Sequence, residues 1–356
     1  MVEQRGRIRI ADVAREAGVS KTTVSFAFNS PGRVKPATAA RIHEVAGRLG
    51  YEPHPVARLL AQRGSQTIGL LTPQALSVMF ANPFFASFSE GVAAVAEENG
   101  FALQFISPLR GSLARAVNRS AVDGVVAIGL SGDHPEVEQI RRARLPTVLV
   151  DSAAFAGHTL VDIDDEVAAF TAAEHLLGLG HGAFLVVGVE PPHPTTPLDP
   201  DGVLGRRLAG YRRALGASGI DLEAAQIMVA PASIPGGRAA FHRAWGTGQR
   251  PTAVLAMSDA IAVGVIRAAR DLGVGVPAEL SVVGFDDIDL AEHVDPALTT
   301  VRQPIRAKGR EAAELLLAAI AGGTDHLRER RRLETELVVR GSSAVAPLRR
   351  KEEALA

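Results

Sequence analysis

From Thr67 onward the sequence alternates short apolar runs with stretches of helical period, and this alternation constrains the fold more than any other feature. The runs are TIGLLT, ALQFIS, GVVAIG, TVLVDS, TLVDID, AFLVVGV, IMVA, AVLAMS and LSVVGFD. Helical patterns lie between them, the clearest at Ser87–Asn99, Ala168–Leu179, Arg206–Ala217 and Ala260–Leu272. Runs this apolar predict strands covered on both faces, the parallel sheets of an α/β protein. The stretch is too long for one core and predicts two similar lobes. Parallel strands end at one edge of their sheet, so two such lobes leave a cleft between strand C-termini that suits a small ligand.

Several residues fall at those strand ends. Phe84 and Phe85 in NPFFA precede the first helix of the body and either project into the cleft or pack in the core. Asp151 ends VLVDS, Ser258 ends LAMS, and Asp286 lies in GFDD. Arg207 sits at a helix start after the Pro-rich stretch Glu190–Gly205. A charged residue at such a position either contacts a ligand or closes a salt bridge within its lobe. Asp259 and Asp287 suit the capping of following turns.

The segment before Thr67 is different. Residues 1–64 carry eleven Lys/Arg and five Asp/Glu, although the whole chain has a net charge of −1. A basic head on an acidic body points to an anionic partner for the head. Within it, Ile10, Val13, Ala14 and Ala17 form one apolar stripe, Gly18 can supply a left-handed turn, and Ser20 stands where an N-cap belongs. Val24 and Ala27 can face back onto the first helix. Lys21, Thr22, Ser25 and Asn29 occupy the other face, where they can reach base edges and phosphates. Pro36 opens a third helix and Gly50 ends it. A helix-turn-helix inside a three-helix unit is the result. EPHPVARLLAQRGS then reads as a hinge of about two helical turns, too short to be stable alone.

Other classes lose ground on composition and motif. Every apolar stretch is interrupted before it reaches the length of a membrane span. MVEQRGRIRI has no apolar signal region, so a cytoplasmic location is expected. A transport receptor would need export and leaves the basic head unexplained. There is no cysteine, which excludes disulfides and thiolate metal sites. His175 and His181 flank LLGLG and suit a structural role better than metal binding. No G-x-S-x-G, P-loop, H-E-x-x-H or well-placed Rossmann glycine triplet occurs. No catalytic residue, cofactor or metal is therefore expected.

ADVAREAGVSKTTVSFAFN, GYEPHPVARLLAQRGSQTIGLL, AAEHLLGLGH, SDAIAVGVIRAARDLGVGVPAELSVVGFDD and PALTTVRQP occur in this order. With them the chain resembles the lactose-repressor/galactose-repressor family of bacterial transcription regulators over roughly residues 8–341. The resemblance implies an all-α helix-turn-helix DNA-binding head plus hinge helix, joined to an α/β two-lobed periplasmic-binding-protein-like body. The expected divisions are a head over 1–52, a hinge over 53–65, a body over 66–345 and a tail over 346–356. Within the body, lobe 1 takes about 66–162 and 293–322, and lobe 2 about 163–290 and 325–342. Three crossings between lobes are expected near 162–166, 289–296 and 320–327.

The resemblance also implies roles. Lys21 and Thr22 would meet base edges in the major groove of double-stranded operator DNA. Ser20, Ser25 and Asn29 would anchor phosphates, and Arg33 would touch the operator. Phe26 stands where the family commonly has a polar residue; it cannot pair with guanine as arginine does, and packs on a thymine methyl or lies along the backbone. Leu60 of the hinge would wedge into the central base step of the minor groove with Ala57 packed close, unless it packs on the body instead. Arg207, Asp286, Ser258 and Asp151 match positions that hydrogen-bond the effector. A sugar fits better than a nucleoside or purine. The tail lacks a leucine heptad, which leaves a homodimer rather than a coil-linked tetramer. Taken together, a repressor whose operator affinity is set by a cleft-bound effector is expected, and a cytoplasmic small-molecule receptor without operator binding is the alternative.

Overall fold

Three short helices bury one apolar stripe each to make the head: α1 (Ile10–Glu16), α2 (Lys21–Asn29) and α3 (Pro36–Leu49). Their shared core is Val13, Ala14, Ala17, Val24, Ala27, Ile42, Val45 and Ala46. Gly18 takes a φ of 62° between the first two helices. Ser20 caps α2: its Oγ accepts from the Thr23 amide at 3.0 Å. Pro36 stands in the first turn of α3, and Gly50 closes it at a φ of 67°. The computed structural model describes residues 8–29, 31–51, 64–130, 134, 136–152, 158–190, 200–223, 226–322 and 329–347. The hinge stretch 52–63, with Ala57 and Leu60, lies outside them, as do most of the Pro-rich stretch after Glu190 and the tail from 348.

Residues Met1–Gln66 and Thr67–Ala356 form two separate compact units. All nine apolar runs of the body are strands, and three more join them. β1 (Thr67–Leu71), β2 (Ala102–Ile106), β3 (Gly124–Ile128), β4 (Thr147–Val150), β5 (Thr159–Ile163) and β11 (Arg330–Leu333) make one sheet in the order β11-β5-β4-β3-β1-β2. β6 (Phe184–Val189), β7 (Ile227–Ala230), β8 (Ala253–Ala256), β9 (Ser281–Asp286), β10 (Thr299–Arg302) and β12 (Glu336–Val338) make the other, ordered β12-β10-β9-β8-β6-β7. Every pairing is parallel except β10 with β12.

The helices cover both faces. In chain order they are α4 (Leu76–Ala81), α5 (Pro83–Glu98), α6 (Leu113–Arg119), α7 (Val137–Arg142), α8 (Asp165–Gly178), α9 (Val203–Ala217), α10 (Ile234–Gly246), α11 (Asp259–Asp271), α12 (Leu290–His293) and α13 (Ile305–Gly322). Several start earlier than periodicity suggests because a cap fixes the first turn. Asn82 accepts from the Phe84 amide, Asp164 from Val167 and Ser258 from Ile261. The first lobe's core joins Ile68, Phe88, Val92, Val126 and Val148 to Ala312, Ala313 and Leu316 of α13. The second lobe fills one face of its sheet with Tyr211, Phe184 and Phe285, and the other with Phe241, Ile261 and Val282.

The first crossing falls where expected, between β5 and α8. The other two do not. The stretch 289–296 sends Leu290 against the first lobe's core, but the chain returns to pair β10 with β9, Thr299 opposite Val283. It leaves for the first lobe only after Arg302, through Gln303 and Pro304 into α13. Residues 293–302 therefore belong to the second lobe, not the first. The last crossing lies between Leu333 and Glu336, not at 320–327. Charge explains the placement of β11: Arg330 pairs with the buried Asp162 at 2.6 Å and Arg332 with Asp164 at 2.6 Å, which binds the strand alongside β5 in the first sheet. Leu333, at that crossing, packs against the cores of both lobes.

Candidate functional site

In the head, α2 divides its side chains cleanly. Val24 and Ala27 are in the core, whereas Lys21 and Thr22 are exposed at the helix start. Ser20 lies beside them with its hydroxyl engaged by Thr23. Ser25 and Phe26 are half-buried, and the Arg33 guanidinium sits 5.4 Å from the centre of the Phe26 ring. The ring thus has a cationic neighbour, which holds Arg33 over the same face as Lys21 and Thr22. The side chain of Asn29 lies outside what the structure describes.

In the body, the C-terminal ends of both sheets carry buried polar side chains where a core would have apolar ones. Asp151, Ser258, Asp286 and Arg207 are all buried. Two of the carboxylates sit on unusual backbone: φ is 46° at Asp151 and 124° at Asp286. Non-glycine residues held so cost about 1–3 kcal/mol each and concentrate at ligand sites.

Arg207 is clamped. Its Nε donates to Asp165 Oδ1 at 2.9 Å, and Nη1 donates to the Met257 carbonyl at 2.7 Å. The guanidinium stacks on Phe285, 3.5 Å from the ring centre. Burial works against its charge, but Asp165 and Asp286 outweigh burial and hold it firmly protonated. Asp165 also takes Arg206 at 2.7 Å. Of the two roles open to Arg207, the in-lobe ion pair is thus present.

Asp151 meets a residue outside the candidates drawn from the sequence. Lys308 of α13 is fully buried, with Nζ 2.8 Å from each carboxylate oxygen of Asp151 and 2.6 Å from Gln303 Oε1. Gln303 Nε2 then donates to Asp286 Oδ1 at 2.6 Å. Burial pushes the Asp151 carboxyl up, against the pull of Lys308. It pushes Asp286 up to about 8, against the pull of Arg207. Asp259 lies behind this cluster and is pushed up to about 6 by burial. It takes the Ile288 amide at 2.9 Å and the Thr300 hydroxyl at 2.5 Å, so it holds the turn after β9. Asp287 caps no turn but pairs with Arg302 and Arg340.

Ser258 spends its Oγ on the cap of α11. Phe84 and Phe85 belong to the first lobe's core, ring centres 5.4 Å apart. Phe84 also borders the polar cluster, with Lys308 Nζ 5.8 Å from its ring. Lys308 had a legible signal: it is a lone cation on the apolar stripe of IRAKGREAAELLLAAI. Asp165 and Gln303 had none, because only the fold brings them to Arg207 and Asp286. His175 and His181 hold the C-terminal segment, as a structural role requires. His175 bonds Ser343 at 2.9 Å, and His181 Nε2 donates to the Ala344 carbonyl at 3.0 Å.

Comparison with known proteins bears on both units. Residues 9–54 match the model of bacterial regulatory proteins of the lacI family, and residues 173–343 match a periplasmic binding protein-like domain. The transcriptional regulator MalR of Streptomyces coelicolor is 35% identical, over 95% of this chain and 97% of its own. The repressor CytR of Escherichia coli K12 is 31% identical, over 97% and 99%. Among solved structures, a regulator CelR–cellobiose complex aligns with a TM-score of 0.69 at 30% identity, over 95% of this chain and 100% of that one. The lac repressor dimer bound to operator and the anti-inducer ONPF aligns at 0.77 with 25% identity, over 95% and 99%.

Proposed function

We propose, from the premise that this chain belongs to the lacI family of bacterial regulatory proteins, how its residues carry out transcription regulation. The protein is a DNA-binding transcription regulator with a helix-turn-helix head and a periplasmic-binding-protein-like body. Our reading is that it is a cytoplasmic repressor that binds a palindromic operator as a homodimer. Lys21 and Thr22 read base edges, while Ser20, Ser25, Asn29 and Arg33 fix the backbone. Phe26 supplies an apolar contact where a guanine-reading side chain would otherwise stand. Leu60, with Ala57 beside it, wedges the central step.

The effector reading is a neutral sugar held between the lobes. The observation that carries it is the buried polar cluster at the strand ends. There the cations Arg207 and Lys308 are already matched to Asp165 and Asp151, while Asp286 keeps its proton to about pH 8. Such a site offers donors and acceptors in nearly neutral balance, which hydroxyl groups satisfy better than an ionic ligand. The cellobiose held by the structural neighbour supports the same class. Among the described residues no helix is long and apolar enough to cross a membrane.

The test is selection of bound sequences from random duplex DNA with the full-length protein, beside Thr22→Ala and Leu60→Ala. A palindrome with a kinkable central step should emerge, relaxed at one base pair by the first change and weakened overall by the second. A steep loss of affinity with salt should accompany it. Failure to enrich any sequence at low salt, with sugars and nucleosides present, would leave a receptor without operator binding.

A further inference from the structure

Lys308 is the one fully buried lysine among the described residues, and beyond balancing the charge of Asp151 it has no role in the reading of the cleft. Its partners lie on three different parts of the body. Asp151 directly follows β4 in the first sheet. Gln303 stands in the short link from β10 to α13, the second crossing between lobes. Asp286, reached through Gln303, ends β9 in the second sheet. The chain Asp151–Lys308–Gln303–Asp286 therefore runs from one lobe to the other through the crossing itself.

The direction of each bond is fixed by the lysine. An ammonium only donates, so Gln303 must turn its oxygen to Lys308 and its NH2 to Asp286. Without the ammonium, the amide could take either orientation, and Asp151 would be left as a buried carboxylate with no cation. No apolar side chain could impose this order.

We infer that Lys308 is a positioning residue of the switch. Its ammonium holds Asp151 of the first lobe and, by orienting the Gln303 amide, Asp286 of the second, and so sets the resting position of the lobes. The inference rests on the proposed cleft site, but not on the identity of the effector. An effector that engages Asp151 or Asp286 competes with this chain of bonds, and its binding is thereby tied to movement at the crossing.

The chain has no cysteine, so two probes can be placed at will. Glu97→Cys at the end of α5 and Ser218→Cys just after α9 put spin labels on exposed positions of the two lobes. Distances are read by pulsed electron resonance on the full-length, effector-free protein, in the native background and with Lys308→Met, Lys308→Arg and Asp151→Asn/Lys308→Met. The double change removes both charges and leaves no unpaired carboxylate, so it keeps the fold testable if Lys308→Met does not fold. We expect the double variant to melt close to the native protein and to show a shifted or split distance distribution. Its operator affinity should differ from native at least about fivefold. Lys308→Arg, which keeps the charge, should lie nearer to native than Lys308→Met.

A folded double variant with the native distribution and native operator affinity would overturn the inference. So would failure of both Met variants to fold, since the lysine would then serve only the core. Loss of operator binding in the native protein would count against the regulator reading, while the distances would still decide the role of Lys308.

Discussion

Replacing Arg207 with alanine tests whether the cleft is built on a clamped buried cation. The change leaves Asp165 buried with one of its two partners, Arg206 at 2.7 Å, and strips a charged donor from the Met257 carbonyl. It also removes the cation stacked on Phe285. Breaking a buried ion pair from one side costs about 3–5 kcal/mol. The surviving Arg206 pulls the figure toward the lower end, and loss of the carbonyl bond and the stacking pulls it back. We therefore expect about 3–5 kcal/mol, or roughly 6–12 °C in the melting of the body. The assay is urea unfolding of the full-length protein followed through Trp245. That residue is the sole tryptophan and sits half-buried against the second lobe's core, so its emission follows the body and not the head. Arg207→Lys should lose about half as much, because a lysine reaches Asp165 or the carbonyl but not both. A loss below about 1 kcal/mol for the alanine variant, or a lysine variant equal to native, would refute the clamp.

Other outcomes follow from the same geometry. Burial holds His175 and His181 below the ordinary histidine pKa. The unfolded chain thus binds protons first as pH falls through about 6.5. The stability gap between native protein and His181→Gln should narrow on going from pH 7 to pH 5 in urea titrations. Asp286 acts in the opposite sense. Its folded pKa of about 8 exceeds the unfolded one, so its contribution is full below about pH 4 and is lost as pH rises through about 8. Asp286→Asn should abolish that dependence and melt no lower than native at pH 8. Gly309→Ala would place a Cβ 2.3 Å from the Phe88 carbonyl oxygen where α5 and α13 touch. A loss of about 1–3 kcal/mol in body stability should follow. Ser20→Ala removes the cap of α2 and should cost the head about 1 kcal/mol, seen by circular dichroism.

Much of the architecture was legible because it rests on short-range patterns. Gly18, Ser20 and Pro36 signal turn, cap and helix start by local chemistry, and nine body strands show as apolar runs, seven of them buried on both faces and the edge strands β2 and β7 partly exposed. β10 carries no such signal, and β11 has no apolar run, although the stretch that holds it, LRERRRLETELVVRG, reads as a return strand. TTVR and RRRL are polar, and they are strands because their neighbours demand it: β9 on one side, and Asp162 with Asp164 on the other. The lobe boundaries failed with them. At the cleft, position at a strand end singles out Asp151, Ser258 and Asp286 as candidates, and position at a helix start singles out Arg207, since strand ends converge in any parallel sheet. What it could not give was the partner of each. Asp165 lies 42 residues from Arg207 and Lys308 lies 157 from Asp151, and only the assembled sheets bring such pairs together.

The late return of α13 to the first lobe has a consequence for how the protein is made. Ala312, Ala313 and Leu316 complete a core whose first five strands are synthesised before any strand of the second lobe. On a ribosome adding about 5–20 residues per second, the first lobe waits on the order of ten seconds for its last helix. During that time the apolar face destined for α13 stays open, and Gly91 has no helix to meet. The second lobe is uninterrupted from α8 to β10, lacks only the edge strand β12 and the segment after it that His175 and His181 hold, and has nearly all of its two cores within that stretch. The lobe that emerges second is thus the first that can close, and it can serve as the surface on which the earlier one finishes.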